Sequence, residues 1–291
     1  MRPIDRRAFL GLSAGALAWA CSRPAEEEEA GDFSLVATGL EGLAVGDSRN
    51  AIAVFKGDKP YRPRELEARL VSATGRARPL ELSRQRITFG RGGDFDTVMS
   101  PESVETTDIY VFRQRFDAGI WRIEASIEGE RAEAVFQVGE DSPSPVVGQE
   151  ALASQSPTTS DARGVDPICT RTPRCSMHGY TIAEALDRSK PLVVNFGTPA
   201  LCTSRTCGPV VDLIEQEKER VGEDVSFVHV EVYKNSNVAQ ASQATSPVFS
   251  DWKLTTEPWT YFVDADGVIR DRWLGVLGRG ELARTVDSLI A

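Results

Sequence analysis

The stretch KPLVVNFGTPALCTSRTCGPVVDLI, Lys190 to Ile214, opens on an apolar run, closes on an amphipathic one and carries two cysteines between them. The run from Leu192 to Phe196 is apolar except at Asn195. That pattern fits a strand buried on both faces, because a half-buried strand would alternate. Pro209 suits the first turn of a helix, where its missing N–H costs nothing, and PVVDLIEQEKERVG continues as an amphipathic helix. Cys202 and Cys207 have four residues between them. On one continuous helix, residues five apart lie about 140° around the axis with about 7.5 Å of rise. Their Cα atoms would then exceed the roughly 7 Å limit for a disulfide. The pair closes only if Cys202 lies on a loop, and the hydroxyl-rich and β-branched run Thr203, Ser204, Arg205, Thr206 favours a loop over a helix. The stretch therefore predicts strand, loop and helix, with a cysteine on each side of the loop-to-helix step.

Working outward, TIAEALDRSK has Thr181 and Glu184 at capping-box spacing, so a helix begins near Thr181. VSFVHVEVY is a second buried strand, PWTYFVDADGVIRDRWLG a hairpin turning at Asp266-Gly267, and RGELARTVDSLIA a closing helix. Helices then cover a central sheet. In that order the opening stretch resembles the active-site strand, loop and helix of the thioredoxin fold, and TTEPWTYFVDADGVI resembles that family's cis-proline strand and hairpin. The resemblance covers roughly Met177 to Ala291. It implies an α/β thioredoxin-like fold there, with Cys202 and Cys207 as the catalytic pair of a thiol-disulfide exchange on protein substrates. It also implies that Pro258 is cis, faces the cysteines, and with the Glu257 backbone holds an extended substrate strand. No cofactor is implied.

The sequence departs from the family at several positions. The spacing is CxxxxC where the family has CxxC. Counted from the strand, Cys202 falls where the attacking cysteine stands; read from the helix start, CGPV at Cys207 matches the family's CGPC with Val210 in place of the second cysteine. Both alignments remain open, and the thiol that meets the helix dipole is expected to be the more acidic. Leu201 replaces the usual tryptophan, and Asn195 stands where classical thioredoxins carry a buried proton-moving acid. Glu257 precedes the proline, and a carboxylate beside the pair raises a thiol pKa by repulsion. Arg205, within the loop, is a candidate to stabilise a thiolate.

Cys169 and Cys175 frame TRTPR. Four cysteines beyond Cys21 allow three pairings; the local one, a structural disulfide 169–175 beside 202–207, is the expectation, and electron relay between the pairs is its sharper variant. Only His178 and His229 are present as histidines. His229 reads as a core residue within a strand, so no metal ligand is assigned. Some membrane-anchored thioredoxin relatives deliver copper with CxxxC and a later histidine, since soft thiolates select Cu(I); copper delivery is one alternative. A non-catalytic thioredoxin-fold adaptor with a structural Cys202–Cys207 bridge is another. Peroxidase chemistry wants Thr or Ser three residues before the reactive cysteine, where Pro199 stands.

Before residue 140 the pattern is strand-like. In GIWRIEASIEG, Trp121, Ile123, Ala125 and Ile127 share one face, and RAEAVFQV repeats the alternation after a turn at Gly129. With FSLVAT, AIAVFKG, ELEARLVS and TDIYVFRQRF these predict an all-β antiparallel sandwich over residues 32–139, weakly resembling bacterial immunoglobulin-like modules. Residues 140–176, rich in Pro, Ser, Thr and Gly, read as the linker between two domains. The N-terminus MRPIDRRAFLGLSAGALAWACS has a basic start and an apolar run of about 13 residues, too short for a bilayer span. DRRAFLG resembles a twin-arginine export signal and AWAC a lipoprotein cleavage box. Residues 1–21 are therefore expected to be an export signal with lipidation at Cys21, residues 22–31 an acidic spacer, and the mature chain extracytoplasmic in the cell envelope, held to a membrane by its lipid. A net charge of −10 without a basic cluster argues against nucleic acid as a partner. Protein thiols or disulfides outside the cytoplasm are the expected partners.

Overall fold

The computed structural model describes residues 32–40, 42–90, 104–202, 204–235 and 244–291. Cys21, the export signal and the acidic spacer lie outside them. Among the described residues no helix is long and apolar enough to cross a membrane.

Among the described residues before 140 lie the strands β1 (Phe33–Thr38), β2 (Gly46–Lys56), β3 (Lys59–Tyr61), β4 (Leu66–Val71), β5 (Ala77–Pro79), β6 (Ser83–Gly90), β7 (Val104–Phe116), β8 (Gly119–Ile127) and β9 (Glu130–Val138). They form two antiparallel sheets, β1-β2-β7-β6 with β3 on β2, and β5-β4-β8-β9. Alternation decides what each strand buries: Trp121, Ile123, Ala125 and Ile127 are buried, while Ile120 is 62% exposed. The inward residues of both sheets, among them Ile52, Val54, Phe112, Leu70, Ile123 and Phe136, meet in one cluster. The β8–β9 turn is made by Glu128 and Gly129, both at positive φ, as a two-residue hairpin loop demands. The short strands β3 and β5 and the polar β6 have no apolar alternation to betray them.

The other half contains α1 (Ile182–Asp187), β10 (Leu192–Phe196), α2 (Cys207–Val221), β11 (Ser226–Val230), α3 (Pro247–Asp251), β12 (Trp259–Val263), β13 (Ile269–Leu274) and α4 (Arg279–Ile290). The sheet order is β11-β10-β12-β13, with β10 parallel to β11 and the other pairs antiparallel. Every residue of β10, β11 and β12 is buried, as continuous apolar runs require. Val193 and Val194 show why: the first packs with Val211, Ile214, Leu282 and Val286 of α2 and α4, the second with Ile182, Phe249 and Trp252 around α1 and α3. Helices cover both faces, the α/β arrangement expected for residues 177–291. The short α3, capped by Ser246, was not expected from the sequence.

Residues 31–291 form one compact unit. Arg49 of β2 is 2% exposed and makes a two-pronged ion pair with Glu281 of α4, at 3.1 and 2.8 Å. Its guanidinium also lies 4.9 Å from the centre of the Trp273 ring. Residues 140–176 contain no helix and no strand longer than a bridge. They are nevertheless tied to the second half: Gly148 N–H donates to Ile269 O, Ile269 N–H to Gln149 O, and Asp166 N–H to Lys234 O. Composition alone reads this segment as solvated; backbone bonds and buried side chains such as Val165 and Ser156 fix it.

Candidate redox site and a buried cysteine-histidine cluster

The loop after β10 turns at Thr198, whose carbonyl accepts from the N–H groups of Leu201 and Cys202. Cys202 O then accepts from Arg205 N–H, with Arg205 at φ 58°. Cys207 is the first residue of α2. Cys202, on the loop, and Cys207, at the helix start, are joined by a disulfide with Cα atoms 6.0 Å apart. This is the loop-to-helix placement that the spacing demanded. Cys202 is 8% exposed and Cys207 fully buried. Ser204 Oγ lies 3.1 Å from Cys202 Sγ. Arg205 is exposed and offers the pair only its backbone.

Gly197 lies between the bridge and Pro258: a Cβ there would stand 3.5 Å from both Cys207 Cβ and Pro258 Cβ, an ordinary contact distance. The Glu257–Pro258 peptide is cis. The Glu257 side chain faces the site: its Oε2 accepts from Thr198 N–H at 2.5 Å, and a carboxylate oxygen lies within 4.8 Å of both sulfurs. Burial, with the Glu231 charge nearby, raises the Glu257 pKa to about 8 despite the Thr198 bond. Asn195, fully buried, spends its amide on Trp259 O and Thr260 Oγ1, each at 3.1 Å.

Cys169 and Cys175 are both buried, as free thiols. Their sulfurs are 3.7 Å apart, so the structure does not contain the expected local disulfide. The two residues are adjacent because they join a different constellation. His178 Nε2 lies 3.2 Å from Cys175 Sγ, and His229 Nδ1 lies 3.3 Å from Cys175 Sγ and 3.8 Å from Cys169 Sγ. The His229 Nε2–H donates to Gly197 O at 2.8 Å. The Cys175 thiol, by hydrogen bonding, holds the Cys169 pKa below its ordinary value against burial, while that same contact and burial push Cys175 up. His229 is raised to about 9: burial opposes its charge, and Cys169 and Glu231 outweigh burial. Burial first, then the His229 and Arg174 charges, lower His178 against its contact with Cys169. Glu231, raised to about 7 by burial, accepts the Thr170 N–H and hydroxyl. Thr170 Oγ1 in turn accepts Ala200 N–H from the redox loop.

The sequence reading assigned His229 to the core and left His178 beside a helix. Cys169, Cys175 and His178 fall within ten residues, in a C-x5-C-x2-H spacing, and that spacing was the available signal. Neither histidine joins the group of Cys202, Cys207 and Glu257, so the copper arrangement of two cysteines with a later histidine is not formed at the disulfide.

No protein-family model matches the chain, and no curated protein matches it. Among solved structures the chain is similar to the crystal structure of a thiol:disulfide interchange protein, thioredoxin family protein, from Chlorobium tepidum TLS. The match has 16% identity and a TM-score of 0.32, and covers 40% of this chain and 91% of that one. The architecture given above rests on strand order and helix placement, not on this match.

Proposed function

We propose that this chain is an exported, lipid-anchored thiol-disulfide exchange protein of the thioredoxin-like kind, acting on protein substrates through Cys202 and Cys207. The observation that carries the reading is the disulfide between a loop cysteine and a helix-start cysteine, beside a proline and a carboxyl of raised pKa. Cys202 is the sulfur nearer the surface, so it meets the substrate. Its thiolate attacks a substrate disulfide, forming a mixed disulfide and releasing one substrate sulfur as thiolate. Cys207, whose thiolate is favoured by the N-terminal end of α2, attacks Cys202 Sγ. The second substrate sulfur leaves, and the Cys202–Cys207 bond re-forms. Two electrons pass to the substrate, and the two thiol protons end on its sulfurs. Run backward, the same steps oxidise a substrate dithiol. Glu257, within 4.8 Å of both sulfurs, supplies the proton-accepting carboxyl that Asn195 does not. The backbone beside Pro258 pairs with the substrate strand. We assign the sandwich of residues 32–139 as an immunoglobulin-like docking or spacer module.

The low exposure of both cysteines favours a second reading, a structural bridge in a non-catalytic adaptor. Redox titration of the full chain, with thiols counted by mass spectrometry, separates the two. A Cys202–Cys207 potential between about −120 and −270 mV is expected, and a value below about −300 mV makes the bridge structural.

A further inference from the structure

The cluster of Cys169, Cys175, His178 and His229 plays no part in that exchange, yet three side chains of one ten-residue stretch converge there with a strand histidine from far along the chain. All four are less than a tenth exposed, and one donor atom of each lies within 4.8 Å of the other three. A tetrahedral zinc with Zn–S of about 2.3 Å and Zn–N of about 2.0 Å places its sulfurs about 3.8 Å apart and each sulfur about 3.5 Å from each nitrogen. Here the sulfurs are 3.7 Å apart, and the three S···N distances are 3.2, 3.3 and 3.8 Å. Four of the six edges therefore already match such a tetrahedron, and the other two, from His178 to Cys169 and to His229, lie within 4.8 Å.

The surroundings fit as well. The bond from His229 Nε2–H to Gly197 O turns Nδ1 toward the thiols, so Nδ1 is the nitrogen that becomes a ligand once its proton is displaced. A backbone carbonyl is a usual outer partner of a metal-bound histidine. His178 Nδ1 is buried with no partner among the described residues, so the Nε2 contact with the cluster is what orients that ring. Charge selects the ion. Two thiolates neutralise a divalent cation, whereas a monovalent one would leave net negative charge buried beside Glu231, itself 1% exposed. Two soft and two borderline donors in a closed tetrahedron, without an open position, suit a structural rather than a catalytic ion.

We infer that Cys169, Cys175, His178 and His229 form a closed tetrahedral binding site for one zinc(II) ion, which ties the segment ahead of α1 to the centre of β11. Binding displaces two protons from the cluster of thiols and imidazoles and involves no redox change. Gly197 carries the effect toward the redox site, because its carbonyl holds His229 while its Cα faces Cys207 and Pro258.

The test is metal content of the full chain, isolated after export without chelator, together with cobalt(II) titration of the chelator-treated, reduced protein. About one zinc per chain is expected, with cobalt giving the intense visible bands and sulfur charge-transfer band of a tetrahedral dithiolate site. The C202S/C207S variant keeps that zinc. C169S and H178A fall below about a tenth of it, and H178C, which exchanges one zinc ligand for another, restores it. Should C169S fail to fold, the cobalt spectrum of the unsubstituted chain decides alone. The inference is overturned by a Cys169–Cys175 disulfide in the isolated protein, by weak octahedral cobalt bands, by zinc that follows C202S/C207S, or by copper(I) in place of zinc.

Discussion

The Glu257 carboxyl accepts the Thr198 N–H and lies beside two sulfurs, in surroundings where burial raises its pKa to about 8 from 4.5. The folded protein thus holds a proton there that the unfolded chain gives up earlier. Its contribution to stability is complete below about pH 4.5 and is lost as the pH rises through about 8. The oxidised protein is expected to lose on the order of 5 kcal/mol from this group between those limits, whereas Glu257→Gln shows no such slope; urea unfolding across that pH range checks both. In the reduced protein Glu257→Gln slows exchange by about 10²-fold at neutral pH if the carboxyl takes the thiol proton. Stopped-flow reduction of a model disulfide reads it. This role lies at the edge of what the sequence discloses. A carboxylate next to Pro258 is visible in the chain and its repulsive effect on a thiol can be argued, but its neutral state depends on burial, which only the fold supplies.

At the scale of elements, Thr181 starts α1 with a complete capping box: its hydroxyl accepts Glu184 N–H and its own N–H donates to the Glu184 carboxylate. The helix has six residues and buries Ile182 and Ala185, so it depends on this cap. Thr181→Ala is expected to lower stability by about 1 kcal/mol, measured by denaturant midpoint at unchanged slope. Such signals are local, which is why the capping box, the β10 run, the loop and the Pro209 helix start were legible from neighbouring residues. The cluster around His229 was not. Residues of FVHVEV are buried on both faces, so a polar residue there needs a distant partner, and the partner cysteines lie more than 50 positions away. The same distance explains the expected 169–175 disulfide: nearness in the chain is visible, whereas the two imidazoles that share the pocket are not.

For the whole molecule the decisive contact is Arg49 with Glu281, 232 residues apart and buried. No pattern in either segment announces it; Arg49 opens a run, Arg49 to Val54, that is buried throughout. Arg49→Met leaves the Glu281 carboxylate buried without its cation and is expected to destabilise by about 3–5 kcal/mol, while the double variant R49M/E281L recovers most of that loss. Equilibrium denaturation of both variants provides the check. The ion pair also explains why the full chain, rather than either half, is the material for the redox and metal measurements.

The segment from 140 to 180 does more than connect. Gly148 and Gln149 bond Ile269 at the start of β13, one outer strand of the sheet, and Ala151 N–H donates to Gly267 O in the turn before it. At the opposite margin His229 N–H donates to Met177 O, and Phe227 N–H to the Tyr180 hydroxyl. A margin with unpaired N–H and C=O groups is a template on which a foreign chain can polymerise. Here one strap passes from the first margin to the last and takes up backbone groups on both, so molecules crowded together meet shorter open ladders than the bare sheet would present.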